Sequence, residues 1–96
     1  MPKFKISAKA LDDLKSIGRY TSRKWGKTQR NKYLEMIDGS FQTISHQPEL
    51  GMTCNDIKPG YKKYHVGRHL IFYRQKSDYV EIIRILHDSM DIIRHL

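Results

Sequence analysis

Cysteine is almost absent: Cys54 is the one thiol in 96 residues. That excludes an internal disulfide and suits a reducing compartment. No apolar stretch approaches the roughly 20 residues that a membrane-spanning helix needs. The opening MPKFKISAKA holds no apolar core of a secretory signal. A cytoplasmic protein with no membrane partner is expected. Glycine-rich phosphate loops, a GxSxG elbow and a carboxylate pair suited to acid–base work are also missing. There is no CxxC pair and no HxxxH on a helix. His65, His69 and Cys54 offer three ligands on paper, where structural zinc takes four, so neither a metal nor another cofactor is expected. Acidic residues are scarce, ten against eighteen Lys and Arg, which leaves a net charge of +8. The excess favours an anionic partner (nucleic acid, acidic protein or anionic lipid) without choosing among them. Nothing reads as a linker, a repeat or a low-complexity tract, so residues 1–96 form one domain.

What is present is densest in the last third. Leu70-Ile71-Phe72-Tyr73 and Val80 to Leu86 are short, β-branched and aromatic, and read as strands. Lys76-Ser77-Asp78 is a connector of hairpin length. Tyr61 to Val66 forms a preceding strand that turns at Gly67-Arg68, completing a three-stranded antiparallel meander. At the other end Phe4-Lys5-Ile6-Ser7 alternates behind Pro2, as an edge strand does.

Between these lie two helices. Ser7 is the expected N-cap of the first, with Asp12 and Asp13 in its opening turns. Leu11, Leu14, Ile17, Gly18, Thr21 and Trp25 form its inward stripe, and Gly26 ends it. Thr28 is expected to cap the second helix, whose stripe is Tyr33, Leu34, Ile37, Phe41 and Ile44. Gly39 suggests a close approach to the first helix. The short connector makes the pair an antiparallel αα-hairpin. The architecture is α+β: an N-terminal strand, a helical hairpin on one face of an antiparallel sheet ending in the meander, and a short C-terminal tail.

Period-two counting along the last strand puts Ile83 and Ile85 on one face with Glu81 and His87. It puts Val80, Ile82 and Leu86 on the other with Arg84. Both faces are apolar in the middle, and the helices cover only one. The tail, a second subunit or a partner protein must cover the second.

Two charged constellations invite chemistry. Lys62, Lys63, His65, Arg68, His69, Arg74, Arg84 and His87 gather on the meander, and clustered His, Lys and Arg are what a metal-independent ribonuclease uses. Strands of a basic protein also expose such residues to water with no function attached. Along the helices Lys9, Lys15, Arg19, Arg23, Lys24, Lys27, Arg30 and Lys32 form a basic run able to meet phosphates. It lacks any helix-turn-helix, RNP or zinc-finger pattern.

The residues that carry a resemblance are now in view. They are Arg23-Lys24-Trp25-Gly26 closing the first helix, the corner Pro48-Glu49-Leu50-Gly51, the strand His69 to Tyr73, and the ending RILH-x-x-MD-x-x-RHL from Arg84 to Leu96. In these the chain resembles the ParE toxins of the RelE/ParE superfamily over almost its whole length. The resemblance implies a bacterial type II toxin that inhibits DNA gyrase without being an enzyme. It implies neutralisation by a ParD-like antitoxin with a flexible, acidic C-terminal segment, and contact with operator DNA only through that antitoxin. Ile82, Arg84 and Leu86 on the second face, with Arg94 and Leu96 of the tail, are the expected antitoxin contacts. Burial against the chain's own tail is the other reading of Ile82 and Leu86. The alternative is a RelE-like, ribosome-dependent messenger endoribonuclease, for which His65, His69 or His87 would be essential. No residue matches the ribonuclease motif position by position, so no catalytic residue is assigned, and no short motif locates gyrase contacts.

Overall fold

The computed structural model describes residues 3–96, so the expectation attached to Pro2 lies outside the described residues. The elements are β1 (Phe4–Ile6), α1 (Ala8–Trp25), α2 (Lys27–His46), a 3-10 turn (Pro48–Leu50), β2 (Met52–Thr53), β3 (Lys62–Val66), β4 (His69–Gln75), β5 (Val80–His87) and α3 (Ile92–His95). One sheet runs β1-β5-β4-β3-β2. The β3–β5 meander is antiparallel and β2 adds to it antiparallel, while β1 joins β5 in parallel. The sheet is therefore mixed, not wholly antiparallel. The chain leaves β1 through the whole helical hairpin and returns to its side only as β5.

Ser7 caps α1 as its type predicts: its Oγ accepts the Ala10 N–H at 3.0 Å. The same hydroxyl donates to the Ile83 carbonyl at 2.7 Å, so the cap also closes part of the β5 edge. Gly26, at φ +92°, both ends α1 and precedes α2, and no side chain caps α2. The expected Thr28 cap is not formed because the helix starts before it. Ala10, Leu14, Ile17 and Thr21 face inward on α1, whereas Leu11 and Trp25 are exposed. Each successive residue turns by about 100°, and that single step takes Leu11 off the line through Ala10. The close helix contact falls at buried Gly18, whose missing Cβ would sit 3.5 Å from the Leu34 Cδ1; Gly39 faces open space.

The core lies between the hairpin and one sheet face. Ile37, Phe41 and Ile44 of α2 meet Ile71 and Tyr73 of β4 and Val80, Ile82 and Ile85 of β5. Period-two counting fails in the middle of β5. Phe72 pairs with Arg84 but Tyr73 pairs with Ile82, so Ile83 is an extra residue in a β-bulge. The bulge keeps Val80, Ile82 and Ile85 on the helix side and sends Leu86 to the other. Ile82, expected on the second face, is thus fully buried beneath the helices.

On the second face Cys54, Phe72 and Leu86 form a smaller cluster, covered by Ile57 and Tyr61 of the 54–61 loop and by Ile92 and Leu96 of the tail. Burial raises the Cys54 thiol pKa, which keeps it protonated and unreactive.

The Pro48–Gly51 corner is tied by Tyr73, whose buried hydroxyl donates to the Pro48 carbonyl at 2.7 Å and accepts the Gly51 N–H at 2.8 Å. A Cβ on Gly51 would collide with the Tyr73 hydroxyl and ring. The Gly51→Ala variant is expected to lose about 2–4 kcal/mol, through overpacking and disruption of these hydrogen bonds. Urea unfolding checks this, and a loss under about 1 kcal/mol would show that the corner yields freely.

Candidate functional site

Two regions collect the residues that could act on something else: the turn end of the meander, and the tail on the second face.

At the turn end, Gly67 adopts φ +56°, and a Cβ there would meet the Tyr33 ring at 2.7 Å. Glycine is needed for both the backbone and the space. Tyr33 can therefore lie over the turn, where its oxygen accepts the Arg68 N–H at 3.0 Å and its hydroxyl shares a 2.6 Å hydrogen bond with the His69 Nδ1. His69 stands edge-on to His87, with ring centroids 5.2 Å apart. Burial, with His87 as a second cause, lowers the His69 pKa to about 4. It is neutral near pH 7, with its Nδ1 already engaged by Tyr33.

The His87 Nδ1 accepts the Ser89 N–H at 3.1 Å and lies 2.6 Å from the Ser89 hydroxyl. With that lone pair occupied, the 3.4 Å approach of the Asp88 carboxylate is proximity and not a hydrogen bond. The same carboxylate lies 3.7 Å from the His65 Nε2 and 3.8 Å from the Arg68 Nε. His65, Arg68, His69 and His87 are thus brought together, but around an internal anion. A scissile phosphate would have to displace or tolerate Asp88. A group with a pKa near 4 is also a poor proton donor or acceptor at neutral pH.

The other members of the expected cluster are elsewhere. Arg74 donates to Glu81 at 2.7 Å, and Lys62 and Lys63 lie at the far end of β3. Cys54 belongs to the second-face cluster, separate from His65 and His69. Among the described residues no three His, Cys, Asp or Glu side chains are grouped to hold a metal.

The tail is held from below. Arg84 grips Asp13 of α1 with two hydrogen bonds, Nε to Oδ2 at 2.8 Å and Nη2 to Oδ1 at 2.9 Å. Its Nη1 donates to the His95 carbonyl of α3 at 2.9 Å. Hydrogen bonding to Asp13 raises the Arg84 pKa further. Arg84, expected as a contact, is therefore engaged within the chain and positions the tail. Leu86 is buried under that tail, Leu96 is half-buried against it, and Arg94 is exposed. Residues 92 and 96 share the inward side of the α3 turn, which turns Ile93 outward at 77% exposure beside half-exposed Met90. Sequence reasoning missed Ile93 and Met90; the i, i+4 spacing of Ile92 and Leu96 was the signal that could have found Ile93.

Comparison with known proteins returns one consistent set of relatives. A family described as "ParE toxin of type II toxin-antitoxin system, parDE" matches residues 4–92. A protein named Toxin ParE1 from Mycobacterium tuberculosis is 32% identical over 98% of this chain and 97% of its own length. Another Toxin ParE1, from Caulobacter vibrioides, is 33% identical over 100% of this chain and 99% of its own. A solved structure of a chromosomal ParDE toxin–antitoxin system from P. aeruginosa has the same fold, with a TM-score of 0.77 at 20% identity, covering 91% of this chain and 96% of that one. A YoeB/ParE toxin from Agrobacterium tumefaciens follows at 0.60 and 16%, covering 88% and 96%.

The depressed His69 pKa has a signed consequence. Above the ordinary histidine pKa of about 6.5, both folded and unfolded forms are neutral and its contribution is complete. As pH falls from there toward 4, the unfolded chain binds the proton first and stability is lost. The loss is expected to be on the order of 1–2 kcal/mol after discounting for solvent screening. Urea unfolding across that window should show it, and His69→Gln should flatten the slope. An equal slope in the variant would assign the loss to other groups.

Proposed function

The chain belongs to the family of ParE toxins of type II toxin–antitoxin systems, and on that premise we propose that it inhibits DNA gyrase and is neutralised by a ParD-like antitoxin. The family match over residues 4–92 carries this reading. It is supported by the state of the meander histidines: the acid–base groups that an RNA-cleaving relative would need are neutral, hydrogen-bonded or gathered around Asp88. Inhibition then comes from binding and not from catalysis.

The antitoxin would meet the tail. Ile93, Met90 and Arg94 present an apolar and cationic surface there, and Leu96 with Leu86 lies beneath it. A flexible acidic segment folding onto this surface would bury apolar area and gain charge complementarity together. Arg84 contributes by fixing the tail's position. Ile82 supports the core and takes no direct part.

Purified gyrase with this protein is expected to lose supercoiling activity and accumulate cleaved plasmid, while messages in a coupled translation extract stay intact. Intact supercoiling with codon-positioned message cuts would move the protein to the ribonuclease branch. For the partner, the Arg94→Glu, Ile93→Asp variant is expected to bind a ParD-like antitoxin at least about ten-fold more weakly than the parent chain, about 1.4 kcal/mol. Calorimetric titration reads this, and unchanged affinity would take the tail out of the interface.

A further inference from the structure

The charge of the molecule is unevenly placed. Between Asp13 and Glu35 the chain carries seven Lys and Arg residues and no Asp or Glu. That stretch is the end of the helical hairpin: the C-terminal half of α1, the Gly26 turn and the first turns of α2. Lys15, Arg19 and Arg23 stand at four-residue spacing on α1, with a rise of about 6 Å between successive charges. Like charges so placed destabilise a helix, and among the described residues none of the seven cations has a carboxylate within 4 Å. With Arg30 of α2 the three rim an open cleft of about 800 Å³.

Two aromatic rings project beside these cations. Trp25 is 66% exposed and Tyr20 is 57% exposed. The Lys24 ammonium lies between them, 5.8 Å from the Tyr20 ring and 6.0 Å from the Trp25 ring. Exposed rings beside cations that have no carboxylate nearby are the two features by which a nucleic-acid strand is held.

The chemistry of the patch selects the class. An amphipathic acidic helix docks through a continuous apolar stripe. Here the cleft floor supplies two half-buried leucines, Leu14 and Leu34, separated by Gly18. A nucleic-acid strand needs what is present: cations for phosphodiesters and exposed rings for unpaired bases. We propose that the α1–α2 end of the hairpin is a binding site for single-stranded nucleic acid, with the cations on the backbone and Trp25 and Tyr20 stacked on bases. This surface is separate from the tail and does not depend on the gyrase reading.

Trp25 is the one tryptophan of the chain, so its emission reports on the site directly. The test titrates the full chain with an oligonucleotide of about 20 nucleotides and with the matching duplex, between about 50 and about 200 mM salt. Single strands are expected to quench Trp25 and to bind about ten-fold more tightly than the duplex, whose bases cannot reach the rings. The Arg19→Gln, Arg23→Gln, Lys24→Gln, Lys27→Gln variant should lose about 2 to 3 from the slope of log affinity against log salt, at about 0.7 per contact. A charge-matched variant, Lys3→Gln, Lys5→Gln, Lys9→Gln, Lys58→Gln, should keep the slope within about one. All eight side chains are exposed, and circular dichroism confirms that both variants fold. Equal losses in the two variants would reduce the effect to net charge and overturn the proposal. So would equal affinity for strand and duplex, unquenched Trp25 at saturation, or no binding at low salt. If the hairpin variant bound the strand like the parent but lost affinity for an acidic antitoxin, the patch would be a protein surface and the proposal would fall.

Discussion

The Asp13–Arg84 pair is the constraint on which the rest of the architecture depends. β1 is three residues long and β5 eight, so among the described residues one edge of β5 has no strand beside it beyond Ile82. The start of α1 takes that place. Ser7 donates to the Ile83 carbonyl, and the Asp13 Oδ2 accepts the Ile85 N–H at 2.9 Å. Arg84 completes the same carboxylate and reaches on to α3. One largely buried ion pair thus joins the first helix, an interior strand and the tail. Its net stabilisation over a well-packed apolar substitute is small, yet removing one partner from such a pair costs about 3–5 kcal/mol. Its main effect is specificity: it fixes where three distant pieces of chain meet.

That junction separates two kinds of surface. The helix side of the sheet is a continuous core, closed to any partner. The second side is a small cluster under a loop and a four-residue helix, a cover with few contacts and so at the low end of local stability. The two parts share only β4 and β5. The meander histidines sit at the boundary, held by Tyr33, Ser89 and Asp88.

What could be read from the sequence divides along the range of the interactions. The meander, the αα-hairpin, the Ser7 cap and the Gly67 turn follow from neighbours within a few residues, and local chemistry is decisive there. Ile82 was assigned to the wrong face because a single inserted residue, Ile83, reverses the alternation after it, and a bulge leaves no pattern in one strand alone. Arg84 read as an antitoxin contact because its internal partner, Asp13, lies 71 positions away. Two-residue β2 is too short for any periodicity to mark it. Leu11 and Trp25 fell at helical spacing yet outside the buried arc, since spacing defines a face but not how wide the neighbouring sheet is. Of the candidate site, the tail was legible as a place; that Ile93, not Ile82, faces outward there required the α3 turn itself.

The parallel pairing of β1 with β5 has a consequence for the order of events during synthesis. Phe4 to Ile6 leave the ribosome early, yet their partners are Val80 to Ile82. Between the synthesis of His46 and that of Val80 the helical hairpin can form, since its contacts are local, while the strand that unites both ends of the sheet does not yet exist. The nascent chain therefore spends that interval with the inner faces of α1 and α2 uncovered by the sheet. Only the last stretch of translation brings the sheet and the tail surface into being together. The tail surface, which rests on β5, therefore cannot exist before that strand is made.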